Sequence, residues 1–274
     1  MTKILIGVVT SEVKDYCWGE FKEQLKELQS LGHDVLIVDN SVKIVNRPPF
    51  KTIHYKDTKK VHRDCVGTGI NPSTIVTRDC MNILRENFLK GDYTHLLVLE
   101  SDVFILSDKI QRLVDLNADV ANFTYPMKLE RFNGQYSLCV QLRGADNKAN
   151  MITPAECKGL LKTGKKVLNV DVVNGKVVSH CGYGCTLITR KVLEKIEFRT
   201  GVFEGKKKNG KLHNPFPDSF FHEDVKNCNF YNVLDTDYLP SHANLNDETK
   251  NYIKIVQIRN QTTRRQRRAA KNRK

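Results

Sequence analysis

The sequence predicts an α/β domain with a mostly parallel central sheet and helices on both faces. Three observations carry this. Apolar, β-rich runs recur at residues 4–9, 35–38, 95–99 and 120–123, and such runs suit strands buried on both faces. Segments of helical period lie between them, the alternation expected of βαβ units. The first three runs end in Thr10, in Asp39-Asn40-Ser41 and in Glu100-Ser101-Asp102. In sheets of this kind, ligands gather at the carboxyl ends of the strands.

Taken in order, the first run is followed by Phe21, Leu25, Leu28 and Leu31 at helical spacing, with Gly32 as a stop. Residues 73–89 carry Ile75, Ile83, Leu84 and Phe88, and Ser73 is read as an N-cap. Ser107 is read as the cap of a helix bearing Ile110, Leu113, Val114 and Leu116. Beyond residue 123 the pattern is less regular. A strand is expected at 136–142 and a short helix at 154–161. A hairpin is expected about Asn174-Gly175, joining 167–173 to 176–179. A further strand at 183–189 leads into a helix at 190–196, and the Gly-, Lys- and Pro-rich stretch 199–217 reads as a substrate-covering loop.

The chain has 274 residues and a net charge of +13, from 44 Lys and Arg against 31 Asp and Glu. Eight of those charges lie in residues 259–274, which contain no acid, and the other 258 residues carry +5. The division is therefore a domain over 1–245 and a basic extension over 246–274, flexible when free. Arg264, Arg265, Arg267, Arg268 and Lys271 form an arm for DNA or another polyanion, or else a solubilising tail. No apolar run is long enough to span a bilayer. The first apolar run is too short for a signal-peptide core, so a cytoplasmic location is expected. Eight cysteines without a Cys-x-x-Cys pair fit that compartment. Cys181 and Cys185 are expected to be packed thiols beside a glycine turn rather than metal ligands.

Glu100 and Asp102 lie on one side of an extended chain, and two acids so placed can hold a hard divalent cation that in turn binds phosphate oxygens. Gly182 and Gly184 precede an apolar strand, where glycine lets backbone approach a ligand. Residues 217–224 gather Asp218, Glu223 and Asp224 beside His222 and two phenylalanines. One of these acids is a candidate general base. His242 stands alone after Asp235 and Asp237. Trp18 and Tyr16 either stack on a ligand ring or, for Trp18, pack beneath the first helix.

Residues 4–7, 36–41, 97–102, 182–188, 218–221 and His242, in this order, resemble a GT-A-fold glycosyltransferase of the broad family 2 type, over about residues 3–243. The resemblance implies a hexosyltransferase-like enzyme. It would use a nucleotide-sugar donor, a UDP-sugar being favoured, with Mn2+ or Mg2+. It further implies donor contacts at Thr10, Asp39, Arg78, Glu100, Asp102, Gly182 and Gly184, and metal ligation by Asp102 and His242 with Glu100. Asp218 becomes the catalytic base of an inverting transfer. The family's Glu-Asp pair reads Pro217-Asp218 here, which keeps Glu223 and Asp224 as alternatives. The basic arm suggests a DNA acceptor. Two other classes compete. A nucleotidyltransferase would want a glycine-rich basic loop after the first strand, where residues 10–15 hold two acids and no glycine. A non-catalytic nucleic-acid binder would want basic residues across the folded body.

Overall fold

The computed structural model describes residues 2–56, 72–128, 135–146, 149–162, 164–201, 207–208, 211–212 and 217–243. Strand β1 (Ile4–Thr10) is followed by a single 3-10 turn (Glu12–Cys17) and helix α1 (Trp18–Ser30). Helix α1 stops as predicted: Gly32 has φ +89° and donates to Gln29 O, and His33 N donates to Leu28 O, the Schellman pattern. Next come β2 (Asp34–Asp39), β3 (Lys51–His54), α2 (Pro72–Lys90) and β4 (His95–Leu99). Helix α2 opens on Pro72, so Ser73 lies inside its first turn instead of capping it. Proline at the first helical position has no amide to leave unsatisfied, and its φ already suits a helix. After β5 (Val103–Phe104), Ser107 precedes α3 (Asp108–Asp115), but it is in helical conformation and its hydroxyl makes no cap hydrogen bond.

The remaining elements are β6 (Val120–Phe123), β7 (Pro126–Lys128), β8 (Tyr136–Leu138), β9 (Val140–Arg143), β10 (Ala149–Met151), α4 (Pro154–Leu161), β11 (Lys165–Val167), β12 (Val172–Val173), β13 (Lys176–Cys181), β14 (Cys185–Thr189), α5 (Arg190–Lys195), β15 (Lys207–Lys208), β16 (Lys211–Leu212), α6 (Pro217–Asn227), β17 (Asn232–Asp235) and β18 (Ser241–His242). The predicted strand at 136–142 is two strands parted at Cys139. The predicted hairpin forms with Asn174 at φ 51° and Gly175 at φ 73°. Its first arm is only β12, because residues 165–167 leave to pair with β17. A capping box fixes α4: Thr153 Oγ1 accepts from Glu156 N at 3.3 Å, and Glu156 Oε2 accepts from Thr153 N at 2.8 Å. Of the stretch 199–217, β15 and β16 form a short hairpin, and residues 202–206, 209–210 and 213–216 lie outside the described residues, as does the basic arm at 259–274.

The main sheet has the order β11-β17-β6-β14-β4-β1-β2-β3. Six strands run one way, and β14 and β11 oppose them. Antiparallel β14 stands between β4 and β6, so the third and fourth apolar runs are not neighbours in the sheet. Alternation along β1 divides the core by face. Ile4, Ile6 and Val8 pack with Phe21, Leu25 and Leu28 of α1 and with Ile110 and Leu113 of α3. Leu5 joins Leu84 and Phe88 of α2, Val192 of α5, and Phe221 and Val225 of α6 on the other face. A second sheet, β10-β9-β13-β12, packs on α4 through Leu142, Leu160 and Val178. No helix among the described residues is long and apolar enough to cross a membrane.

Leu84 has no solvent exposure at the centre of the α2 face. Leu84→Ala is expected to lower stability by about 2–5 kcal/mol, the range for a deleted core leucine, read as a fall in the urea midpoint.

Candidate functional site

The carboxyl ends of β1, β2 and β4 meet at one edge, where Thr10 lies opposite Asp39 in register. Past β4 the chain turns, with Val103 N donating to Glu100 O at 3.0 Å, and this turn drives Asp102 inward until it has no exposure. Two remote segments close on it. The 3-10 turn after β1 brings the Lys14 ammonium into an ion pair with Asp102 Oδ2. Cys17 of the same turn donates to Ser101 O. From the far end of the domain, β18 pairs with β5 so that His242 stands opposite Val103. Ala243 N reaches Asp102 O at 2.8 Å, and His242 Nε2 lies 3.3 Å from Asp102 Oδ2. Burial works against ionisation of Asp102, yet the hydrogen bonds and charges of His242 and Lys14 outweigh it and hold its pKa at about 2. Asp102 Oδ1 and His242 Nδ1 are buried without a hydrogen-bond partner among the described residues.

Next to this group, Asp39 is fully buried. It accepts from Ser41 N at 2.8 Å and from Arg47 Nε at 2.8 Å. Arg47 is itself buried, donates from Nη1 to Asp15 Oδ1 at 2.6 Å and lies over the Trp18 ring at 4.5 Å. Trp18 thus packs on α1 and supports a guanidinium, which neither sequence reading of it foresaw. Around Asp39, four buried polar atoms have no hydrogen-bond partner among the described residues, Thr10 Oγ1, Ser41 Oγ, Arg47 Nη2 and His54 Nδ1, the last lying 3.8 Å from Asp39 Oδ1. Buried polar groups are almost always hydrogen-bonded, so these atoms set the surroundings of Asp39 apart.

The third part of the site is organised by Tyr125, two residues past the end of β6. Its hydroxyl donates to Glu100 Oε2 at 3.0 Å, and its ring stacks on the His242 imidazole at 5.1 Å, 20° from parallel. A Cβ on Gly184 would overlap this ring, and one on Gly182 would come 2.5 Å from Cys139 Sγ and 3.0 Å from Tyr125 Oη. The two glycines are therefore needed for tyrosine to lie between β14 and His242. Glu100 is pushed above the usual carboxylate range, first by burial and then by Asp102. Asp218, in the first turn of α6, is raised to about 7 by burial and by the nearby charge of Glu100, against the hydrogen bond from Ser219 N at 2.7 Å. The partly buried thiol of Cys139, the buried thiol of Cys181 and the buried Tyr183 hydroxyl feel the same Asp218 charge.

Other candidates have different partners. Glu223 pairs with Arg143 at 3.1 Å, and Asp224 takes a bidentate pair from Arg199 at 2.7 and 2.8 Å. Arg78 contacts Asp79 at 2.6 Å and Thr200 at 3.4 Å. Arg112 holds Asp235 and Asp237. Cys181 and Cys185 are buried free thiols, as expected. Among the described residues no three His, Cys, Asp or Glu side chains are arranged to hold a metal ion. Sequence reasoning missed Lys14, Arg47 and Tyr125. The only signal for Tyr125 was its place just past a strand end, and Lys14 and Arg47 lay in stretches with no periodicity. Two cavities lie elsewhere. One of about 500 Å³ is at the opposite sheet edge, by His95 and Asp119, and one of about 320 Å³ is lined by Phe104, Tyr238 and Ser241, the neighbour of His242.

No protein-family profile and no curated protein sequence matches the chain. Among solved structures, it is similar to residues 1–349 of S. aureus TarS in complex with UDP-GlcNAc, at a TM-score of 0.47 and 12% identity, over 87% of this chain and 57% of that one. Intact S. aureus TarS aligns at 0.44 and 13% identity, over 88% of this chain and 36% of its own length. WbbM, a bifunctional glycosyltransferase in its apo form, aligns at 0.37 and 11% identity over 71% and 33%. The chain thus spans less than two thirds of the length of each.

Two expectations follow from the packing. Arg47→Met leaves Asp39 buried and uncompensated, and should cost about 3–5 kcal/mol, the scale for breaking a buried ion pair from one side, measured by chemical denaturation. Gly184→Ala displaces Tyr125 and should cost about 1–3 kcal/mol through overpacking, visible as a lower melting temperature; an unchanged melting temperature would refute the tight fit.

Proposed function

We propose that the protein is a GT-A-like glycosyltransferase that moves a sugar from a nucleotide-sugar donor, a UDP-sugar, to an acceptor hydroxyl with inversion. One observation carries the reading: a single cleft holds one carboxylate kept ionised, Asp102, and another that titrates near neutrality, Asp218. Displacement at an anomeric carbon needs both. The departing diphosphate must meet fixed positive charge, and the incoming hydroxyl must lose its proton to a base whose pKa lies close to the working pH. The surroundings of Asp39 suit the donor's nucleoside, with the Arg47 guanidinium and the Thr10 and Ser41 hydroxyls available to its polar edge.

The residues fit a hard divalent cation. Asp102 is ionised and keeps one oxygen without a partner, and the His242 imidazole stands beside the other. Asp102 and His242 would hold Mn2+ or Mg2+ in the sparse manner of sites completed by substrate phosphates; when bound, such an ion stabilises charge on the leaving diphosphate as a Lewis acid. Glu100, held by Tyr125, keeps negative charge near Asp218 and so sustains its raised pKa. Asp218 takes the acceptor proton. The eight basic charges of residues 259–274 favour a polyanionic acceptor, DNA among them.

Asp218→Asn is expected to retain UDP affinity within about twofold while transfer falls at least about a hundredfold, the usual reach of a general base. In the wild type, transfer should rise with pH through about 7 as Asp218 loses its proton. The stability effect has the opposite slope. A carboxyl whose pKa is higher in the folded than in the unfolded chain binds more protons when folded, so stability declines as pH rises from about 4 to about 7. Asp218→Asn should therefore melt above wild type at about pH 8, with the gap narrowing towards about pH 5. Loss of UDP binding in this variant would instead assign Asp218 to donor binding.

A further inference from the structure

The Asp102 carboxylate is served unequally. The Lys14 ammonium and His242 Nε2 both address Oδ2, the Tyr16 hydroxyl also interacts with the carboxylate, and Oδ1 is buried without a hydrogen-bond partner among the described residues. Among the described residues Lys14 is the one lysine or arginine that pairs with it. The lysine side chain is about one-third exposed (32%), so it bridges a buried anion and solvent. It rides on a single 3-10 turn whose N-cap, Ser11, makes no side-chain hydrogen bond and whose Val13 and Tyr16 are exposed. Cys17 and Asp15 anchor that turn through Ser101 O and Arg47, so it is the lysine's own four-carbon stem, flexible by nature, that can carry the ammonium from one partner to another.

From this geometry we infer that Lys14 is a resident counter-ion: it neutralises Asp102 while the divalent site is empty and passes to the donor's diphosphate when the cation takes Asp102. The inference rests on the donor reading above. A divalent ion approaching Asp102 meets the ammonium at short range, and the two positive charges repel strongly there. Lys14 therefore weakens binding of the ion alone. Once a diphosphate is present, its negative charge exceeds what the ion offsets, and an ammonium freed from Asp102 has a partner within reach of the same cleft. Lys14 thereby makes cation and nucleotide binding mutually dependent, which is a coupling free energy between two ligands. The alternative role, a fixed structural strut, predicts no change in ion affinity beyond that of any folding defect.

The test uses the full chain and two titrations: MnCl2 alone, read by loss of the free-ion electron paramagnetic resonance signal, and UDP in saturating MnCl2, read by calorimetry. Lys14→Gln is expected to bind Mn2+ alone at least about tenfold more tightly than wild type, since a short-range competing charge is gone, and to bind UDP at least about tenfold more weakly. Lys14→Arg keeps the charge and should stay close to wild type in the first titration, and serves as the folding control for the site. Unchanged or weaker Mn2+ binding by Lys14→Gln overturns the proposal, whether or not UDP binds. Tighter Mn2+ binding with UDP affinity intact overturns the transfer to diphosphate. If wild type ignores UDP while Lys14→Gln gains Mn2+ affinity, the donor reading fails and the counter-ion role stands.

Discussion

A buried carboxylate at the end of β4 sets the terms for everything around it. An uncompensated charge with no exposure costs several kcal/mol, so Asp102 can exist only where compensating polar partners are delivered to it. The fold delivers them from both extremes of the domain. Lys14 comes from the turn after the first strand, and His242 comes from the last described strand. Other contacts help place both segments: Cys17 and Asp15 anchor the turn, and β5 pairing and the Tyr125 ring hold β18. One aspartate is thus the point on which both segments converge.

Steric fit completes what charge begins. His242 must present one nitrogen to Asp102, and its ring plane is fixed by Tyr125 lying against it. Tyr125 can lie there only because Gly182 and Gly184 have no side chains. Its hydroxyl then fixes Glu100 by donating to Oε2. The glycines that resemble a ligand-lining turn therefore act through tyrosine: they are two contacts removed from the carboxylate whose geometry they determine.

The parts legible in the sequence were those with a period or a terminus. Strands with both faces buried announce themselves as apolar runs, and their ends located Thr10, Asp39, Glu100 and Asp102 at one edge. Periodicity carries no information about which strands become neighbours, so the insertion of antiparallel β14 between β4 and β6 was not legible. Side chains that reach across the fold left even less trace. Arg47 acquires its role from Asp39, Asp15 and Trp18, each distant in sequence or on another element. Lys14 sat in a stretch judged by its lack of glycine, where the informative fact was the aspartate it would meet 88 residues later. A strand-end acid with no cation nearby in sequence calls for one from elsewhere, and sequence alone does not say from where.

The contrast between Asp102 and Asp218 shows how one cleft separates two identical side chains. Both lose solvent, and burial pushes both upward. For Asp102 the neighbours are an ammonium and an imidazole, and its pKa settles at about 2; for Asp218 the neighbouring charge is Glu100, and it settles at about 7. Glu100 is itself kept from relaxing by Tyr125 and by Asp102. The order of the charges, cations against Asp102 and an anion against Asp218, is what keeps one carboxylate permanently charged and leaves the other able to exchange a proton. Environments that drive two carboxylates apart in this way define acid–base roles more securely than the identity of either residue. Here the separation follows from the same Asp102-centred packing that holds the cleft together.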